Sequence, residues 1–182
     1  IVILKKLGLS IFLIHGGGSK ISKKLNDLNI KSNFINGLRV TDDKIIDIVE
    51  DVLVQFNQEI VDALKNKSCN AKEITSKKNN IITVEPENDT LGYVGKPTKI
   101  NTNILTEIIK AKEVPVIASL GMGENDQTYN INADSVAAVV AKELKARRLL
   151  ILSDVEGVLN KNKKLIPEIN SNQAKQMISD ET

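Results

Sequence analysis

Leu9-Ser10-Ile11-Phe12-Leu13-Ile14-His15-Gly16-Gly17-Gly18 is an apolar run that halts on three consecutive glycines. A short stretch of Ile, Leu and Phe bounded by glycine has the length and composition of a buried strand, over Leu9 to Ile14, ending in a tight loop. The segment that follows, Ser19 to Leu28, carries Ile21, Leu25 and Leu28 at helical spacing. The glycines therefore lie between a strand end and a helix start, where backbone N–H groups without intrahelical acceptors point at anions. A strand feeding a helix through such a loop is an α/β beginning.

The rest of the chain continues the alternation. Thr41 suits an N-cap, Asp42 and Asp43 suit the positive end of a helix dipole, and Ile45, Ile46, Val49, Val52, Leu53, Phe56, Ile60 and Leu64 form one apolar face. Ile81-Ile82-Thr83-Val84 reads as a strand, and Leu91 to Pro97 as a glycine-punctuated strand or hairpin. Asn101 or Asn103 caps a helix running through Ala111, and Val114-Pro115-Val116-Ile117-Ala118 is a second buried strand. Ala133 to Ala146 predicts a helix with Val136, Val139, Val140 and Leu144 inward. Leu149-Leu150-Ile151-Leu152 predicts a third apolar strand, running into Ser153-Asp154-Val155-Glu156-Gly157-Val158-Leu159. This pattern predicts an α/β fold, a three-layer sandwich with a mainly parallel central sheet, in a single domain over residues 1–182 with no internal repeat or flexible linker. Ligands in such sheets collect beyond the carboxyl ends of the strands. That rule places the Gly16 loop, the segment Asn130 to Asp134 and the Asp154 loop on one rim, provided the three strands run the same way.

Composition narrows the classes. A chain of 182 residues with 41% hydrophobic and 26% charged residues is ordinary for a globular domain. The formal net charge of +2, with lysines interleaved among acidic neighbours, carries no nucleic-acid footprint. Cys69 stands alone, so no internal disulfide forms, and no apolar run is long enough to span a bilayer. A reducing, soluble compartment is expected. Ile1-Val2-Ile3-Leu4-Lys5-Lys6 has neither an initiator methionine nor a signal-peptide layout, and it reads as a chain already in progress.

Each motif has an ordinary structural reading beside a chemical one. The three glycines serve a tight turn as readily as an anion, and His15 beside them is better read as a hydrogen-bonded structural residue than as a base. Gly16-Gly17-Gly18-Ser19-Lys20 lacks the Gly-Lys-Ser/Thr order of a Walker A loop. His-Gly-Gly-Gly resembles the oxyanion loop of lipases, but no Gly-x-Ser-x-Gly elbow accompanies it, which disfavours esterase chemistry. Arg39 fits a surface ion pair, Asn130 and Asn132 fit turns, and Asp134 fits a helix cap. Taken together, Ile14 to Gly18 supplies backbone donors for a developing anion, Asn36 to Thr41 an arginine that clamps a carboxylate, and Tyr129 to Asp134 an amide and a carboxylate. That set describes a phosphoryl-transfer site for a small acid.

Ile-His-Gly-Gly-Gly at 14–18, Asn-Gly-Leu-Arg-Val-Thr-Asp at 36–42, Leu-Gly-Tyr-Val-Gly at 91–95, Tyr-Asn-Ile-Asn-Ala-Asp at 129–134 and Leu-Ser-Asp-Val-x-Gly-Val-Leu at 152–159 occur in this order. In them the chain resembles the acetylglutamate kinase family of the amino-acid kinase superfamily along essentially its whole length. The resemblance implies transfer of the γ-phosphoryl group of ATP to the side-chain carboxylate of N-acetyl-L-glutamate, a step of arginine biosynthesis in the cytoplasm or plastid stroma. It implies Gly17 and Asp134 as catalytic, with Gly17 and Gly18 presenting N–H groups to substrate and phosphoryl group and Asp134 orienting catalytic lysines. Arg39 and Asn130 are implied as the substrate clamp, and Asp154, Val155, Glu156, Gly157, Val158 and Leu159 as the nucleotide loop. About 1–130 would then mostly bind N-acetylglutamate, and about 131–182 would begin the ATP-binding part. ATP enters with Mg²⁺ carried on its phosphates, with no protein metal site and no tightly bound cofactor. A dimer-based homo-oligomer is implied, without nucleic-acid or membrane partners.

The chain also departs from the family pattern. The family's opening strand with Lys and Gly-Gly has no counterpart here, nor has a later Gly-Gly-Met-x-x-Lys segment beyond the helix matched by Ser171 to Ile178. An internal fragment is therefore expected, weak or inactive alone, because two cations are missing from a site that works by charge stabilisation. Thr75-Ser76-Lys77-Lys78-Asn79-Asn80-Ile81 replaces a Ser-Gly-Lys-Asp-Gly type loop and loses both glycines, so a different loop backbone is expected. Two alternatives stand beside this reading: a kinase of the same fold for N-acylated aminoadipate, one methylene longer, and a non-catalytic amino-acid-binding module.

Overall fold

The computed structural model describes residues 1–153 and 155–180. They fall into two compact units, Ile1–Leu149 and Leu150–Thr182. In the first unit the elements are α1 (Val2–Lys6), β1 (Leu13–His15), α2 (Gly18–Asp27), β2 (Phe34–Ile35), β3 (Leu38–Arg39), α3 (Asp43–Lys65), β4 (Ala71–Ile74), β5 (Ile82–Pro86), β6 (Gly95–Ile100), α4 (Thr102–Lys110), β7 (Val114–Ala118), β8 (Leu120–Met122), β9 (Thr128–Asn130) and α5 (Ala133–Glu143).

β7 is the central strand of a parallel sheet ordered β1-β7-β4. All five of its residues are buried, as a continuous apolar run demands. Successive side chains of a strand point to opposite faces, and β7 shows what covers each. Val116 belongs to a cluster with Val61 and Leu64 of α3, whereas Ile117 belongs to one with Leu105 and Ile108 of α4 and Val136 and Val140 of α5. Helices thus cover both faces, giving the expected three layers. A second sheet, β6-β5-β8-β9, is mixed: only its β5/β8 pair is parallel. The chain crosses from the first sheet to the second at Ser119, whose N–H donates to His15 O at 3.1 Å and whose carbonyl accepts from Ile131 N at 3.0 Å.

Several local expectations are corrected. The α3 cap is Asp42, whose side chain accepts from Lys44 N and Ile45 N, because Thr41 is buried in a bridge to Gly92. The first strand is only Leu13–His15, and the paired strand near Leu91 to Pro97 starts at Gly95. Leu149 to Leu152 forms no strand: Leu150 is 75% and Leu152 96% exposed. An apolar run becomes a buried strand only with a ladder neighbour and cover on its faces, and no described strand pairs with it.

The second unit holds a Leu159–Leu165 bridge and α6 (Ser171–Ser179), begun by a capping box between Asn170 and Gln173. No described helix is long and apolar enough to cross a membrane.

Candidate active site

The glycine loop lies at the carboxyl end of β1. Gly17 is the N-cap of α2, and the first intrahelical bond runs from Ile21 N to Gly17 O at 2.8 Å, so the N–H groups of Gly18, Ser19 and Lys20 have no intrahelical acceptor. The loop packs too closely for side chains: a Cβ on Gly17 would stand 2.7 Å from Leu53 Cδ2, and one on Gly16 3.1 Å from Ala133 Cβ. The second contact sets the loop beside the start of α5, next to Asp134.

Arg39 closes the short β2–β3 hairpin, whose turn residues Asn36 and Gly37 have φ of 49° and 79°. Such a turn twists with the strands and favours Asn-Gly. The guanidinium is buried and held by Ser32 Oγ, by Ser22 Oγ at 2.9 Å and by Gly18 O at 3.1 Å, with the Phe34 ring 4.7 Å beneath it. All three acceptors are neutral, and no described carboxylate pairs with it. Burial lowers its pKa from the ordinary value. An uncompensated buried cation tied to an N–H-rich loop is suited to an incoming carboxylate.

Asn130, at the end of β9, donates through Nδ2 to Thr41 Oγ1 at 3.3 Å, and Thr41 Oγ1 donates to Arg39 O at 2.9 Å. The amide and the arginine strand are thus linked through one hydroxyl. α5 is capped by Asn132, which accepts from Ser135 N at 2.9 Å, and Asp134 is exposed in its first turn. The capping role expected for Asp134 belongs to Asn132. The loop at Val155, Glu156, Gly157, Val158 and Leu159 lies in the second unit, largely exposed. Asp154 lies outside the described residues.

Two buried polar residues of α3 lie outside the apolar face expected from the sequence. Glu50 on α3 accepts from Ser76 Oγ, from Thr128 Oγ1 at 3.0 Å and from Lys77 Nζ at 2.8 Å. Burial pushes its pKa up, but the hydrogen bonds from Lys77, Ser76 and Thr128 outweigh that and hold it below the usual value. Asn57, also on α3, is fully buried against His15. Both positions fall on the inward phase of the helix, among Ile46, Val49, Leu53 and Val61. A polar residue inside an apolar stripe was the available signal. Ser76 and Lys77 fasten the loop from Thr75 to Ile81 to Glu50.

The sequence pattern of the Amino acid kinase family matches residues 1–182. An acetylglutamate kinase of Pelagibacter ubique is 63% identical over 181 residues, covering 100% of this chain and 63% of that protein. One from Nitratidesulfovibrio vulgaris is 42% identical over 195 residues, covering 100% of this chain and 63% of its own length. The chain therefore spans a little under two thirds of these relatives. Among solved structures, smu.665 from Streptococcus mutans superposes with a TM-score of 0.90 at 30% identity, covering 97% of this chain and 73% of that one. An N-acetylglutamate synthase from Neisseria gonorrhoeae, at 22% identity and a TM-score of 0.84 over 98% of this chain and 42% of that one, shares the fold. With a family pattern matched from end to end and the three-layer architecture in place, this chain belongs to the amino acid kinase family.

Proposed function

We propose that this chain is part of an enzyme that transfers the γ-phosphoryl group of ATP to the side-chain carboxylate of N-acetyl-L-glutamate, forming the acyl phosphate for arginine biosynthesis. A carboxylate oxygen attacks phosphorus, the bond to ADP breaks, and no proton needs removing, so the protein's task is positioning and charge neutralisation. Gly17 and Gly18 direct N–H groups at the substrate and the transferring group. Arg39 holds the α-carboxylate with the help of Asn130, and Asp134 orients the cationic groups of the site. Residues up to about 130 serve the amino acid, and those from about 131 to 182, including 154–159, begin the nucleotide part. Mg²⁺ travels with the ATP phosphates, held mainly by nucleotide and water. The enzyme works as a dimer-based homo-oligomer.

The observation carrying this reading is the buried Arg39 guanidinium, held by neutral acceptors alone and joined to Gly18 O at 3.1 Å. Calorimetric titration of the full-length protein with N-acetyl-L-glutamate and with its one-methylene-longer homologue tests it. Tighter binding of the glutamate derivative supports the assignment, and preference for the homologue transfers it to aminoadipate.

A further inference from the structure

Asn57 lies mid-length in α3 and is fully buried, yet it carries an amide where an aliphatic side chain would pack without polar cost. Its Nδ2 stands 2.9 Å from Val116 O on β7, 3.0 Å from His15 Nε2 at the end of β1 and 3.5 Å from Ile74 O on β4. One side chain therefore reaches all three strands of the parallel sheet. The two short contacts use both amide hydrogens. The reversed amide would press Oδ1 against two carbonyl oxygens, so the hydrogen-bond network fixes its orientation. Oδ1 itself has no partner among the described residues, and the donors are what the fold uses.

A hydrogen aimed at Nε2 requires that nitrogen to be bare, which leaves the proton on Nδ1. Nδ1 is 3.1 Å from Gly16 O and donates to it. Phe56 stands edge-on to the imidazole, 5.1 Å between centroids. Burial lowers the pKa of His15, against a smaller upward pull from the Gly16 hydrogen bond, so the ring is neutral at pH 7. In a planar trans peptide the C=O and N–H point in opposite directions. Holding the Gly16 carbonyl against the imidazole thus aims the Gly17 N–H away from it.

We propose that Asn57 and His15 are positioning residues: Asn57 selects the Nδ1–H tautomer of His15, and that tautomer pins the Gly16–Gly17 peptide so that the Gly17 N–H faces the transferring phosphoryl group. This relay rests on the phosphoryl-transfer reading above.

The test uses the full-length protein. Ring ¹⁵N spectra at pH 7, with the His15 signals identified by difference against His15→Asn, are expected to show a protonated Nδ1 and a bare Nε2. Asn57→Leu and His15→Leu should each lower kcat about 10²-fold, the scale of losing one aligned backbone donor. KM for the acyl acceptor should stay within about twofold, because the interaction is used in the transition state. His15→Asn, whose amide places a donor near the position of Nδ1, should recover about tenfold of that loss. Equal losses in His15→Asn and His15→Leu, or a change in KM alone, overturn the relay. The spectrum does not depend on turnover: a protonated Nε2 in an active enzyme defeats the relay alone, whereas a wild-type protein that forms no acyl phosphate defeats the kinase reading and the relay's catalytic half.

Discussion

Arg39 Nη2 donates to the carbonyl oxygen of Gly18 at 3.1 Å, which fastens the one buried guanidinium of the described residues to the first turn of α2. Arg39 and the glycine loop at the start of α2 are therefore joined directly, the arrangement that the proposed clamping of a substrate carboxylate uses. Arg39→Ala should weaken N-acetyl-L-glutamate binding by about 10²-fold or more, the scale of removing one member of a buried charged pair, and leave ATP binding nearly unchanged. Arg39→Lys should not rescue it, since a point charge cannot make the forked contacts. Calorimetric titration with each substrate checks both variants.

Asp134 sits exposed in the first turn of α5, with capping already supplied by Asn132. Asp134→Asn should change unfolding free energy by no more than about 0.5 kcal/mol, as surface substitutions do. Turnover should nevertheless fall by about 10²-fold, in the range of a lost electrostatic contribution at the site. An unchanged turnover number would remove Asp134 from the machinery.

Gly92 has φ of 68°, and a Cβ there would collide with the carbonyl oxygen of Thr41. That backbone contact cannot be relieved by a rotamer change. Gly92→Ala should cost about 2–4 kcal/mol through strain and clash together. Denaturant unfolding measures the loss, and because Thr41 also links Asn130 to the Arg39 strand, affinity for the amino acid should fall in parallel.

Folded-state pKa values are lowered at both His15 and Glu50. A group of this kind contributes stability that is complete above its unfolded value and is lost as pH falls through its folded value. The thermal midpoint should therefore begin to fall below pH 6.5 as His15 loses its contribution, and fall further below pH 4.5 through Glu50. Glu50→Gln should remove the lower stage, preserve the upper one and cost about 1–2 kcal/mol at neutral pH. Calorimetry across pH 3–8 separates the two.

Local pattern decides structure along the apolar run at Val114 to Ala118, at the Asn101 cap, and at Ile45, Ile46, Val49, Leu53 and Leu64 of the expected α3 face, whereas Val52, Phe56 and Ile60 of that face are only half-buried and Val61 is buried instead. Distant partners decide the rest. Thr41 and Asp42 are both good capping residues, and only the bridge to Gly92 takes Thr41 out of the competition. Leu149 to Leu152 has strand composition, but no described strand lies beside it on a ladder. Glu50 and Asn57 are polar because Ser76, Thr128 and His15, all distant in sequence, stand opposite them. Of the expected site residues, Gly18, Arg39 and Asn130 are joined through Arg39 and Thr41, Gly17 precedes Gly18 in the same loop, and Ala133 brings the start of α5, with Asp134, against Gly16.

Hydroxylamine trapping of acyl phosphate by the full-length protein bears most directly on phosphoryl transfer to a carboxylate. Hydroxamate that forms only with MgATP and N-acetyl-L-glutamate together, and that is lost in Arg39→Ala, is the predicted result. Consumption of ATP without hydroxamate, or hydroxamate yields equal in wild type and Arg39→Ala, would contradict the account.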